Sequence, residues 1–289
     1  MVALATTAGD YTDFDYRPYA SGRMNGMLSI FLLRRQTYCL ASRVSCLMVL
    51  LGMFDVHAAS LPDTIDKVRP SIVAVGTFNP SGQPRQTFRG TGFVVGNGHQ
   101  VVTNYHVLPE KLNEARKETL AVFSGRGARV RYHEARVLVK DAEHDLALLY
   151  MHDPLPALAL APASKAREGE EIAFTGFPIG MVLGLYPVTH RGIVSAITPL
   201  AQPQLSPKLI TPKMVRAMRD ASEVLQLDAT AYPGNSGSPV YRQSTGAVVG
   251  VVNSVFVKGS KETALQKPSG ITYAIPVAHV HALLRKAGK

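Results

Sequence analysis

Between Ser71 and Ala274 the chain is a succession of short runs rich in Val, Ile, Phe and Tyr, separated by Gly, Pro, Asn and Asp. Ser71–Phe78, Gly90–Val95, Val101–Tyr105, Leu146–Tyr150, Glu171–Phe177, His190–Ile197 and Ala247–Val257 are examples. β-Branched and aromatic side chains suit a pleated, half-buried surface, and punctuation this frequent leaves little room for long helices. The pattern predicts an all-β fold, a barrel or a sandwich. Three stretches depart from it. Leu61–Arg69 has helical spacing, with Ile65 and Val68 three apart and Pro70 as a stop. Residues 276–288 open on Pro276 and place Val277, Val280, Leu283 and Leu284 on one helical face. Residues 198–222 are rich in Pro and Lys and turn helical near Lys213–Ser222.

The two cysteines, Cys39 and Cys46, both precede residue 60. The strand-rich region therefore has neither disulfides nor thiolate metal sites, and its stability rests on an apolar core. Apolar residues make up 46% of the chain, enough to build one. The net charge is +10, but the basic residues are scattered, without a run of five, an RNA-binding signature or zinc-finger spacing. That composition argues against nucleic acid as a partner and leaves a weak attraction to anionic surfaces.

The amino-terminal region reads as an address. Residues 1–23 are mixed and aperiodic, a disordered tail or a mis-assigned start. Arg34, Arg35 and Arg43 then precede the apolar run Val44–Phe54, and Val56-His-Ala58 follows with small or modest residues at the cleavage positions. This is the order of a secretory signal over 24–58, cut after Ala58 or Ala59. The run is too short to cross a bilayer comfortably as a helix. The alternative is an uncleaved anchor that also uses Met27–Leu33. Either reading makes the remainder, 59–289, a single exported domain, periplasmic or secreted.

The chemistry concentrates in Tyr232-Pro-Gly-Asn-Ser-Gly-Ser-Pro-Val240. Gly234 and Gly237 permit tight turns that aim backbone N–H groups beside the Ser236 hydroxyl. A serine hydroxyl attacks a carbonyl only when a base takes its proton. His106, at the end of the apolar run in Thr-Asn-Tyr-His-Val, is a candidate base. Asp145, just before Leu146–Tyr150, is a candidate for orienting it, because a carboxylate there needs an N–H partner. Taken singly, each residue has a bland reading: a turn serine, a strand-end histidine, a capping aspartate. Together they match the division of labour among nucleophile, base and orienting acid, with the Gly234 and Ser236 N–H groups, and Asn235 between them, as an oxyanion hole.

These residues in their settings resemble the trypsin-like, chymotrypsin-fold serine peptidases, nearest to the bacterial Deg/HtrA branch. Gly176-Phe-Pro-Ile-Gly180, Arg191-Gly-Ile-Val-Ser-Ala196, Gln226-Leu-Asp-Ala-Thr230 and Tyr273-Ala-Ile-Pro276 extend the likeness over about 61–285. The resemblance implies two six-stranded antiparallel β-barrels, about 71–160 and 170–275, with His106, Asp145 and Ser236 in the cleft between them. It implies peptide hydrolysis through an acyl-enzyme, on unfolded or exposed polypeptide, with no metal or cofactor, and it admits a homo-oligomer. It also implies that Thr230, Ala231, Val252, Asn253 and Ser254 line the substrate pocket. None is charged, which favours small or medium apolar side chains. No PDZ module is expected after the peptidase domain. Ser238 stands where Deg/HtrA members usually have Gly. The enzymes that share that serine use a pocket histidine for acidic side chains, and Gly250–Ser254 has none. Two other readings keep the same fold: a non-catalytic or autoinhibited peptide-binding, chaperone-like protein closed by 198–222, and an esterase. Among the other histidines, His99 is expected in a turn, His133 and His144 exposed, His190 structural, and His279 and His281 on the terminal helix without further metal ligands.

Overall fold

The computed structural model describes residues 60–127, 129–163, 166–178, 184–199, 222–253 and 270–288. The tail at 1–23, the leader at 24–58, all but the ends of segment 198–222, and Ser254 lie outside the described residues.

Among the described residues, two closed barrels of six antiparallel strands account for most of the regular structure. The first is built from β1 (Ile72–Phe78), β2 (Gln86–Val95), β3 (Gln100–Asn104), β4 (Thr119–Arg126), β5 (Arg129–Asp141) and β6 (Leu146–Met151). Its strands run β1-β2-β3-β6-β5-β4, and β1 closes on β4 with Ala74 opposite Phe123. The second contains β7 (Glu171–Gly176), β8 (Val188–Pro199), β9 (Glu223–Asp228), β10 (Pro239–Arg242), β11 (Val248–Asn253) and β12 (Ile271–Pro276). Its order is β10-β11-β12-β9-β8-β7, closed by Val240 opposite Phe174. Closure removes the exposed strand edges that would otherwise recruit other chains. The all-β expectation is met, as is the two-barrel form that the resemblance implied.

Several strands are buried on both faces. In β1, Val73 and Val75 join one apolar cluster with Val94, Val101 and Leu149, while Ile72 and Ala74 face another with Phe93, Phe123 and Leu148. A strand that serves two cores reads as a continuous apolar run rather than a strict alternation. The long hairpin of β4 and β5 is different: its far end, Arg126 opposite Arg129, is polar and exposed, so backbone pairing carries the strands well past the apolar runs.

The terminal helices cross between the barrels. Helix α1 (Leu61–Val68) leads into β1, yet Thr64 donates its hydroxyl to Gln243 O at 2.7 Å, beside β10 of the second barrel. Helix α2 (Val277–Ala287) follows β12, yet Lys286 Nζ reaches Asp141 at 2.9 Å, at the end of β5 in the first. Between the barrels the connecting chain pairs with β11, through Ala161 N to Val248 O at 2.8 Å and Val248 N to Ala159 O at 2.9 Å. These ties fix how the barrels meet, and the candidate site lies at that meeting.

Candidate active site

The strand register explains why His106 and Asp145 meet. β3 and β6 are antiparallel neighbours, with Asn104 opposite Leu146. His106 lies two residues past the end of β3, and Asp145 one residue before β6. The same end of the ladder therefore presents both. Asp145 adopts a left-handed backbone, φ 51°, which Asp tolerates better than most residues. Its carbonyl accepts from Asn104 Nδ2 at 3.0 Å and from Tyr105 N at 3.1 Å. The main chain of the acid is thus latched to the segment that carries the histidine.

The Asp145 carboxylate accepts three hydrogen bonds: His106 N to Oδ1 at 2.9 Å, His106 Nδ1 to Oδ2 at 2.6 Å, and Asn253 Nδ2 to Oδ2 at 2.8 Å. A carboxylate oxygen can only accept, so the proton sits on Nδ1 and the lone pair is left on Nε2. That is the tautomer a general base requires. Charge-assisted bonds of this length are about twice as strong as neutral ones. Asn253, expected in the wall of the substrate pocket, is buried on β11, and its amide donates to the acid.

Ser236 lies in the connection from β9 to β10, on two successive turns. Tyr232–Asn235 is closed by Asn235 N to Tyr232 O at 3.0 Å, with Pro233 second and Gly234 third at φ 99°. Those are the residues of a type II turn. Asn235–Ser238 is closed by Ser238 N to Asn235 O at 3.0 Å, with Gly237 third at φ 85°. The Gly234 N–H takes part in neither closing bond.

Thr91 on β2 pins this loop to the first barrel. Its N–H donates to Ser236 O at 2.8 Å, its hydroxyl donates to Gly234 O at 2.8 Å, and that hydroxyl accepts from Phe177 N at 3.0 Å. A Cβ on Gly237 would stand 2.0 Å from Thr91 O. Gly90 is equally confined: its Cβ would meet Val107 Cγ2 at 2.6 Å and Ser236 O at 3.0 Å. Asn235 and Ser238 are fully buried behind the loop, and the Ser238 hydroxyl lies 2.0 Å from where a Cβ on Gly176 would be, so a serine at 238 demands glycine at 176.

Of the other residues expected to line the substrate pocket, Thr230 and Ala231 precede the serine loop and Val252 pairs with it. Thr230 and Ala231 are half-buried and lead into the first turn, with Ala231 N bonded to Thr272 Oγ1 at 2.9 Å. Val252 is buried, and its backbone pairs with Gly237 and Ser238.

Other histidines differ from expectation. His133 is buried, bonded to Ser124 Oγ at 2.8 Å and Asp153 at 3.3 Å, because β5 turns it inward beneath the hairpin. His144 is half-buried and stacked on His279 of α2, ring centroids 4.0 Å apart. Burial and the neighbouring His144 hold His279 below the usual imidazole range. Asp141, Glu143 and His144 bring their ligand atoms within 4.8 Å of one another, but Asp141 is already held by Lys286 and His144. His99 lies in a turn as expected, with Nδ1 3.1 Å from Met151 O. Nothing local in the sequence pointed to Asn104 or Thr91, or to the bond from Asn253 to Asp145, contacts that span 41, 143 and 108 positions.

Comparison with known proteins gives a family and a fold. The family model described as "Trypsin-like peptidase domain" matches residues 90–251. "Serine protease HTRA2, mitochondrial" of Bos taurus is 28% identical over 234 residues, covering 79% of this chain and 43% of its own length. "Probable periplasmic serine endoprotease DegP-like" of Chlamydia trachomatis is 30% identical over 195 residues, covering 67% and 32%. The chain therefore spans under half the length of these curated relatives. Among solved structures, "HtrA-type protease AlgW with tripeptide" superposes with a TM-score of 0.56 at 22% identity, over 79% of this chain and 63% of that one, a likeness of fold.

Proposed function

The chain belongs to the trypsin-like peptidases, with HtrA and DegP-like proteases among its relatives, and from that premise we propose that it is an exported serine endopeptidase acting through Ser236, His106 and Asp145. The observation that carries the reading is the 2.6 Å bond from His106 Nδ1 to the Asp145 carboxylate, beside a serine loop pinned to the same barrel by Thr91.

In this mechanism the Ser236 Oγ–C bond forms as His106 Nε2 takes the hydroxyl proton. The tetrahedral oxyanion receives the N–H groups of Gly234 and Ser236, each worth about 3 kcal/mol in comparable sites. The C–N bond then breaks as His106 returns the proton to the departing amine. Water repeats the sequence on the acyl-enzyme, and Ser236 is released. Asp145 remains a carboxylate throughout, fixing the imidazole tautomer and stabilising the imidazolium. Among the described residues, Thr230, Ala231 and Val252 offer an uncharged approach for the substrate side chain. Unfolded or exposed segments are the substrate class, since the site must receive an extended chain.

Export is supported by the charged, apolar and small-residue order over 24–58 and by the printed "periplasmic" of the DegP-like relatives. A homo-oligomer belongs to the same proposal by family analogy. Ser236→Ala is expected to lower kcat/KM on a casein-derived peptide by at least about 10⁴-fold. A fluorophosphonate is expected to label Ser236. Equal turnover in the variant, or labelling elsewhere, would refute the reading.

A further inference from the structure

β8 presents two neighbouring polar side chains to different surroundings. Thr189 is satisfied: its hydroxyl meets Thr175 Oγ1 at 2.8 Å, which in turn meets Tyr241 OH at 2.7 Å. His190 is not. Its ring stacks on Phe174, centroids 4.9 Å apart and planes 23° from parallel, and tilts against Tyr232 at 5.8 Å. Its Nε2 is buried and has no hydrogen-bond partner. Burial holds the group below the ordinary imidazole range, which favours its neutral form. A neutral imidazole still carries one N–H donor and one acceptor, and an unmatched buried one costs roughly 1–3 kcal/mol.

The place of this cost is informative. Tyr232 opens the first of the two turns that carry Gly234 and then Ser236, and Thr230 and Ala231 lead into it. A peptide whose reacting carbonyl lies at Ser236 and the Gly234 N–H has its acyl-side residue one bond away. A side chain entering beside that turn would pass Thr230–Tyr232, and Tyr232 is in ring contact with His190. Phe174 and Tyr232 flank the ring, and its Nε2 is a polar atom that the protein itself leaves unmatched, the kind of group that selects a ligand by a single hydrogen bond.

We propose that His190 is the specificity-determining residue of the acyl-side pocket, and that it selects a substrate side chain ending in a carboxamide, Gln or Asn, whose carbonyl oxygen accepts from the ring N–H. The inference rests on the peptidase reading and deepens it. It revises the apolar preference drawn from Thr230, Ala231, Val252, Asn253 and Ser254. A purely apolar side chain leaves the imidazole unmatched. A carboxylate would be buried against a neutral ring among uncharged neighbours, which is costlier still. Sites built around a buried donor reject partners that lack the acceptor.

The test compares peptides identical except for Gln, Leu or Glu on the acyl side of the scissile bond. Binding is measured by fluorescence anisotropy to the full chain carrying Ser236→Ala, which needs no turnover, and kcat/KM is measured on the unsubstituted chain. Gln is expected to bind about threefold to tenfold tighter than Leu, with Glu weakest. Adding His190→Leu is expected to level Gln and Leu, and His190→Gln, which keeps a donor, to restore part of the difference. Equal binding of Gln and Leu, no binding of either, a preference for Glu, or a preference that survives His190→Leu would overturn the proposal. Should His190→Leu fail to fold, the ¹⁵N shift of the native Nε2 decides: it moves with the Gln peptide and not with Leu, or the proposal fails. Gln-selective binding with no hydrolysis by the unsubstituted chain would sink the peptidase reading alone. Hydrolysis without Gln selectivity would sink this one alone.

Discussion

The two barrels have the same topology but hold their shares of the site by different means. The first presents side chains. His106 and Asp145 come from adjacent strand ends, and the bonds between them are made by their own groups and their immediate backbone. The second presents a backbone shape. Ser236 is set by two turns with positive-φ glycines third in each, and the loop is held through its carbonyls. A base and its orienting acid need a directional contact between two polar groups, which neighbouring strand ends supply. A nucleophile beside an oxyanion site needs N–H groups at a fixed angle, which only a defined chain path supplies. Each barrel also reaches into the other: Thr91 holds the serine loop, and Asn253 holds the acid.

If the first barrel works through a directional contact, the largest effect should come from removing the acceptor while keeping the shape. Asp145→Asn should lower kcat by about 10⁴-fold with little change in melting temperature, because the amide favours the wrong imidazole tautomer. A small kinetic effect would break the comparison. If the second barrel works through chain path, Gly237→Ala should damage folding and activity together. The new Cβ would press on Thr91 O from a left-handed backbone, for a loss of roughly 3 kcal/mol or more in urea unfolding. Unchanged stability would mean that the loop has room to move.

The cross-connections should matter less. Asn253→Ala removes one donor from a carboxylate that keeps two, and a bond to a charged group is worth about 1.5–3 kcal/mol. The expected loss in kcat/KM is about tenfold to a hundredfold, read from progress curves on one peptide, with Ser236 still labelled by a fluorophosphonate.

The smallest effect concerns how each barrel is fastened under acid. Burial raises the Glu170 carboxyl, but its bond to Arg242 and the Arg167 N–H outweigh that and leave it below 4.5. Asp141 follows the same logic, with Lys286 and His144 outweighing burial. A carboxyl lowered by folding contributes stability that is complete above its unfolded value and is lost as pH falls through the folded one. Melting temperature should therefore decline below about pH 4.5. Arg242→Gln should lower the melting temperature at pH 7 by a few degrees and make the acid decline shallower. A decline equally steep in the variant would assign it to other carboxyls.

How much of this was legible in the sequence varied with the range of the interaction. The strand runs and the terminal helices were readable because they depend on neighbours a few residues away. The length of the β4–β5 hairpin was not, because backbone pairing extends strands beyond the apolar residues that signal them. His106, Asp145 and Ser236 were picked out by local setting and by family likeness, whereas Asn253 was expected in the pocket and directs its amide to Asp145. His133 and His144 were expected at the surface, and a neighbouring strand and α2 cover them.

The amino-acid order alone determined the all-β class, the turns at Gly234 and Gly237, and the residue types that can perform acyl transfer. These follow from steric preference and side-chain chemistry, which each residue carries with it. The tertiary structure decided which groups are paired and which are not: three donors on Asp145, Thr91 across the barrels, and an unmatched nitrogen on His190. Hydrogen bonding is directional and short in range, so partners distant along the chain are fixed only when closure of the barrels brings them within about 3 Å.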